Sequence, residues 1–142
     1  MPTTELTPRT DADWMRALED CRVTPSAFTH ERHLQAAFAC LQASDSVEAA
    51  TARMRTALRQ FAAAAGLESK YHETLTVFWM NLVARARAAT PGAATWERLR
   101  AAHPELLDAQ APMACYTAER LFSDEARTRW CAPDRKAEAA CP

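Results

Sequence analysis

Residues 29–43 read THERHLQAAFACLQA, and the spacing of their apolar positions decides the fold. Leu34, Ala37, Phe38 and Leu41 recur at helical intervals, so they share one face of an amphipathic helix. His30 and His33 continue that face through the first turn. Thr29 stands where an N-cap belongs and Phe28 where a hydrophobic staple would pack. Residues 72–83, HETLTVFWMNLV, repeat the pattern: His72, Leu75, Thr76, Trp79, Leu82 and Val83 form a second stripe that is polar at its first turn. Three of the four histidines therefore occupy positions where a simple core would have leucines.

Working outward from these two stretches, the remaining pattern is also helical. Trp14, Leu18 and Cys21 mark the buried face of a first helix from Asp11 to about Cys21, capped by Thr10 or Asp11. Asp45 and Glu48 have capping-box spacing for a third helix carrying Val47, Thr51, Met54, Leu58, Phe61 and Ala65, with Gly66 as its stop. The fourth starts near Ser69 and ends before Thr90, Pro91 and Gly92. Beyond that cluster the spacing predicts short helices over Thr95–Ala102, Thr117–Phe122 and Ser123–Cys131. The expectation is an all-α, up-down four-helix bundle with short C-terminal helices packed on it. It forms one domain over residues 1–135, followed by a disordered tail, 136–142.

Composition agrees with that reading. The chain has 142 residues, 49% hydrophobic, enough for one core, and only two glycines, so hairpin chemistry is scarce. A formal charge of −1 with interspersed Arg, Asp and Glu gives no single-sign field, which argues against nucleic acid or a membrane surface as partner and for a small molecule. The polar N-terminus lacks an apolar signal core and no segment reaches the roughly 20 apolar residues of a bilayer span, so a cytoplasmic location is expected. The five cysteines lack any C-x-x-C pair; free thiols are expected, with Cys141 exposed.

Topology should bring the histidines together. In an up-down bundle the second and fourth helices run parallel, so His30, His33 and His72 lie at one end. His30 and His33 are about 60° apart around their helix, within reach of one ion, and His72 would add a third nitrogen. Three imidazoles with an open position suit a divalent metal such as Zn²⁺, Fe²⁺, Mn²⁺ or Ni²⁺. Glu73, about 100° from His72, is then expected beside the metal as acid/base, with Tyr71 as the other catalytic group. Thr74, Thr76 and Cys21 are further candidates for the lining, and the small side chains Ala62–Ala65 leave room for a cavity. The expected function is a small helical metalloprotein acting on a small molecule. Two alternatives stand beside it. One is a noncatalytic module that binds an organic anion or metal ion through neutral imidazoles, Lys70 and backbone N–H groups. The other is a protein-interaction subunit whose histidines are structural. Helix N-termini favour anions over cations, which weighs toward the former. Tyr116, Glu119 and Arg127 would cap the pocket if the C-terminal segment folds back, and His103, preceding a proline, reads as solvated.

The blocks Phe28-Thr29-His30-Glu31-Arg32-His33-Leu34 and Lys70-Tyr71-His72-Glu73-Thr74, with Tyr116-Thr117 through Leu121, Ser123, Ala126, Arg127 and Pro133-Asp134, resemble a family of small bacterial proteins marked by F-x-H-x-x-H-L and K-Y-H-E-T. The resemblance spans about residues 10–135 and groups His30, His33, Tyr71, His72 and Glu73, but implies no substrate. A looser likeness to four-helix DinB-type metalloproteins with three-His sites is architectural only, since their ligand spacing differs.

Overall fold

The structure is a computed structural model that describes residues 10–135 and 141. Among them lie seven α-helices and no strand: α1 (Asp11–Glu19), α2 (His30–Ala43), α3 (Val47–Ala64), α4 (Glu73–Ala89), α5 (Trp96–Ala102), α6 (Ala118–Leu121) and α7 (Asp124–Thr128). Short 3₁₀ turns fall at Pro25–Ala27, Glu68–Lys70, Pro104–Leu107 and Ala111–Ala114. Apart from Cys141, the expected tail lies outside the described residues.

Each α-helix begins at a side chain that accepts the N–H three residues on, satisfying one of its orphan donors. In six of the seven that side chain is a hydroxyl: Thr10, Thr29, Ser46, Thr95, Thr117 and Ser123. Ser46, not Asp45, caps α3. The exception is α4, where His72 takes the cap. It follows a 3₁₀ turn at 68–70, so the helix starts four residues after the expected start near Ser69, and His72 has extended backbone (φ −134°, ψ 106°). At the other end of α3, Gly66 adopts φ +71°, and Leu67 N–H and Gly66 N–H bond back to Ala62 and Ala63 carbonyls at 2.7 and 3.1 Å. That is a Schellman stop of the kind expected there.

α2 is the central element, packed on α1, α3, α4 and α5, so its buried surface is wider than the stripe: Leu34, Ala36, Ala37, Phe38, Ala39, Cys40 and Leu41 are all buried. Met15, Leu18, Met54, Trp79, Met80 and Val83 complete the core around Phe38. Burying one such side chain contributes about 1.5–3 kcal/mol. The arrangement is a helical bundle, with α5 packed on α2 and the last segment laid on α4 through α7.

That last segment is held by polar bonds from α4 and within itself. Thr74 Oγ1 donates to the Arg129 carbonyl (2.9 Å) and accepts the Cys131 N–H (3.1 Å). Tyr116, 1% exposed, donates its hydroxyl to the Cys131 carbonyl at 2.6 Å. Asp134 accepts from both Thr117 N–H and Thr117 Oγ1 at 2.8 and 2.7 Å. The result is a clasp, residues 115–135, closed across α4. Cys115 and Cys141 form a disulfide with Cα atoms 5.8 Å apart, and Cys141 is half-buried against the core. This corrects the expectation of free thiols and an exposed Cys141. Cysteines 26 residues apart carry no spacing signal, and only the fold-back brings them within reach.

Candidate functional site

The three histidines occupy the turns expected of them but face separate partners. His72 Nδ1 accepts the Leu75 N–H at 3.1 Å, and its Nε2 lies 2.7 Å from the Leu121 carbonyl oxygen. A carbonyl only accepts, so Nε2 carries the proton, Nδ1 carries the lone pair, and both nitrogens are committed. Burial, against the hydrogen bond to Leu121 and aided by the charge of Arg127, holds the His72 pKa below its ordinary value. His30 Nε2 bonds the Leu106 carbonyl at 3.1 Å, and its ring meets Trp79 edge-on at 4.6 Å. His33 stacks on Phe28 at 5.4 Å, and Phe28 in turn packs on Phe61. Burial, and then the neighbouring His30, pushes the His33 pKa down to about 4. No group of three or more His, Cys, Asp or Glu side chains among the described residues is arranged to hold a metal ion.

The groups expected to do acid/base work form a tight ionic cluster. Arg55 reaches across from α3 to Glu73, with Nε 2.9 Å from Oε1 and Nη2 2.6 Å from Oε2. Tyr71 donates its hydroxyl to the same Oε1 at 2.6 Å. Burial works to raise the Glu73 pKa, yet the bonds from Arg55 and Tyr71 outweigh it, and the carboxyl titrates below its ordinary value. Burial, then the bond to Glu73, lifts the Tyr71 phenol to about 12. At neutral pH Glu73 is an anion with its donors in place and Tyr71 is a neutral donor. A general base is most effective when it titrates near the working pH, and neither group does.

Beside this cluster opens a cleft of about 320 Å³ between α3, the 68–70 turn and α7, lined by Arg59, Ala62, Glu68, Ser69, Tyr71 and Arg127. The Arg59 guanidinium lies 5.0 Å over the Tyr71 ring. Among the described residues Arg127 pairs only with the exposed carboxylate of Asp124, at 3.5 Å. Ala62, from the alanine run, leaves the space these groups surround. A larger cleft of about 680 Å³ lies between α1, α2 and α5, but its polar side chains are paired with one another. Gln35 donates to Asp11, Trp96 Nε1 to Glu31, and Arg100 bridges Glu31 and Glu97.

Comparison with known proteins adds no relative. No family model, curated protein or solved structure matches the chain. The geometry alone therefore carries the reading of function.

Of the other candidates, Thr74 and Thr76 are buried in α4, and Cys21 is exposed on the turn after α1. His103 is half-buried, with Nε2 2.7 Å from Thr90 Oγ1 and Nδ1 3.2 Å from Glu105, where solvation was expected. Arg127 does come to the Tyr71 side of the bundle. Arg55 and Arg59 were not anticipated. In sequence they read as ordinary helix-face arginines, because their partners Glu73 and Tyr71 lie outside α3.

Proposed function

We propose that the protein is a noncatalytic binding module for a small organic anion, and that its histidines secure the fold around the binding face. The observation that carries this reading is the commitment of both His72 nitrogens, one to the cap of α4 and the other to the Leu121 carbonyl. A metal ion at His72 would have to displace one of those bonds. Glu73, ion-paired with Arg55, supports the same reading, since a carboxylate held this way neither takes nor gives a proton at neutral pH. In this reading α1 to α4 run up, down, up and down, because residues 44–46 alone join α2 to α3.

The test is metal analysis of untagged protein, with thermal unfolding recorded in the presence and absence of a chelator. The module reading expects substoichiometric metal and an unchanged Tm. Stoichiometric metal lost in His72→Asn, with a fall in Tm on chelation, would replace it with the metalloprotein.

A further inference from the structure

We infer that the cleft between Arg59 and Arg127 is the binding site, and that its ligand is a small organic monocarboxylate with an apolar body. The inference rests on the module reading and specifies its ligand. The charges settle the class. Arg59 and Arg127 bring two guanidinium groups to the cleft, against the Glu68 carboxylate in its lining and the solvent-exposed Asp124 carboxylate 3.5 Å from Arg127, and one anionic group is what two such forks can share. The neighbouring Glu73 is paired with Arg55; it attracts Arg59 but makes no hydrogen bond to it. Arg59 has a ring contact with Tyr71 and no hydrogen bond or ion pair among the described residues, and Arg127 has only a long bond to an exposed partner. Both forks can therefore turn to a carboxylate, whose two oxygens match the guanidinium geometry.

The walls settle the body of the ligand. Ala62 and the Tyr71 ring present apolar surface, and Ser69 and Thr128 add hydroxyls at the lining. The volume, about 320 Å³, falls at the small end of ligand sites, which run from about 300 to 1,000 Å³. Tyr71 is fixed for this role: its hydroxyl is anchored on Glu73, so its ring is held in place beneath Arg59 as an apolar wall of the cleft. This arrangement gives the Arg55–Glu73 pair a task, the orientation of Tyr71 beneath Arg59.

The experiment is an NMR titration of the full chain with benzoate, with phenylphosphate and benzylamine as comparison probes. Benzoate is expected to shift amide signals of residues 59–71 and 127–128. Arg59→Gln and Arg127→Gln should each weaken it by about tenfold or more, since each removes a charge-assisted contact. Glu68→Gln should tighten benzoate binding, a gain that misfolding cannot mimic. Benzylamine should not bind, and phenylphosphate, a dianion, should bind more weakly than benzoate. Benzoate that binds equally well to the double variant of Arg59 and Arg127 overturns this site and leaves the module reading standing. Equal binding of benzylamine overturns the charge argument. Absence of binding by benzoate and phenylphosphate at millimolar concentration overturns both the site and the module.

Discussion

The Nε2 of His72 lies 2.7 Å from the carbonyl oxygen of Leu121, forty-nine residues later, while Nδ1 of the same ring caps α4 through the Leu75 N–H. One neutral imidazole thus joins the start of the main bundle's last helix to the C-terminal clasp. Replacing it separates the two roles. His72→Ala loses the cap, worth about 1 kcal/mol, and leaves the carbonyl of Leu121, a residue 2% exposed, without its donor, worth about 1–3 kcal/mol more. His72→Asn restores the cap but falls short of Leu121. Urea unfolding should rank wild type above His72→Asn and His72→Asn above His72→Ala by about 1 kcal/mol. An alanine variant as stable as wild type would show that the Leu121 bond does not hold the clasp.

Acid should loosen the protein through His33. Its folded pKa is pushed down from 6.5 to about 4, chiefly by burial. As pH falls below 6.5 the unfolded chain takes up a proton that the folded chain refuses, so the unfolded state binds more protons and stability falls. The loss continues until about pH 4, below which both states are protonated. A depression of that size corresponds to roughly 3 kcal/mol. His72, shifted in the same direction, adds to the slope. Chemical denaturation between pH 7 and 4.5 should show this decline, and His33→Leu should flatten most of it. An unchanged slope in His33→Leu would place the proton uptake elsewhere.

Sequence made the all-helical content legible because its signals are local. Thr29, Thr95, Thr117 and Ser123 cap the helices they precede, and Gly66 stops α3, all through bonds spanning only a few residues. His72 was visible as a special residue but not as a cap, since histidine is not among the usual capping side chains. Its partner, like that of His30, is a backbone carbonyl, on α6 in one case and a 3₁₀ turn in the other, and a carbonyl has no sequence signature. Helical spacing thus marks the ring positions but not the bonds that take both nitrogens of His72 and Nε2 of His30. Glu73 was likewise placed correctly at the start of α4, but its partner Arg55 lies eighteen residues away on α3.

The Arg55–Glu73 pair is asymmetric, and its variants should be too. The Glu73 side chain is 11% exposed and that of Arg55 35%, so water can serve the guanidinium but not the carboxylate. Arg55→Met leaves a buried charge with one hydrogen bond, from Tyr71, and the more distant attraction of Arg59, and should cost about 2–4 kcal/mol. Glu73→Met leaves a partly solvated arginine and should cost about 1–2 kcal/mol, the smaller value reflecting solvent screening. The double variant should be less destabilised than the two singles combined, with a coupling of about 1–2 kcal/mol in a urea double-mutant cycle. Equal costs for the singles and no coupling would mean that the pair behaves as a surface ion pair.

Cys21 is the single non-glycine residue with positive φ among the described residues, at +56°, and it stands where a glycine would be expected. Its N–H bonds the Leu18 carbonyl at 3.0 Å, and the next N–H, of Arg22, reaches back to Ala17 at 2.9 Å. This is the same Schellman closure that Gly66 makes at the end of α3, built on a residue with a Cβ. The left-handed region costs an L-residue about 1–2 kcal/mol, while glycine enters it freely at a cost of about 0.5–1 kcal/mol in unfolded-chain entropy. The thiol adds little in return: it is exposed, and its Sγ is 3.8 Å from the Gln60 carbonyl. Cys21→Gly should therefore stabilise the protein by about 0.5–1 kcal/mol. Gly66→Ala, the reverse exchange at the matching position, should destabilise it by about 1 kcal/mol, because the space around Gly66 is open and only the backbone angle opposes a Cβ. The two substitutions measured side by side check one another. A destabilised Cys21→Gly with the expected loss in Gly66→Ala would assign the Cys21 thiol a packing role that outweighs its backbone strain.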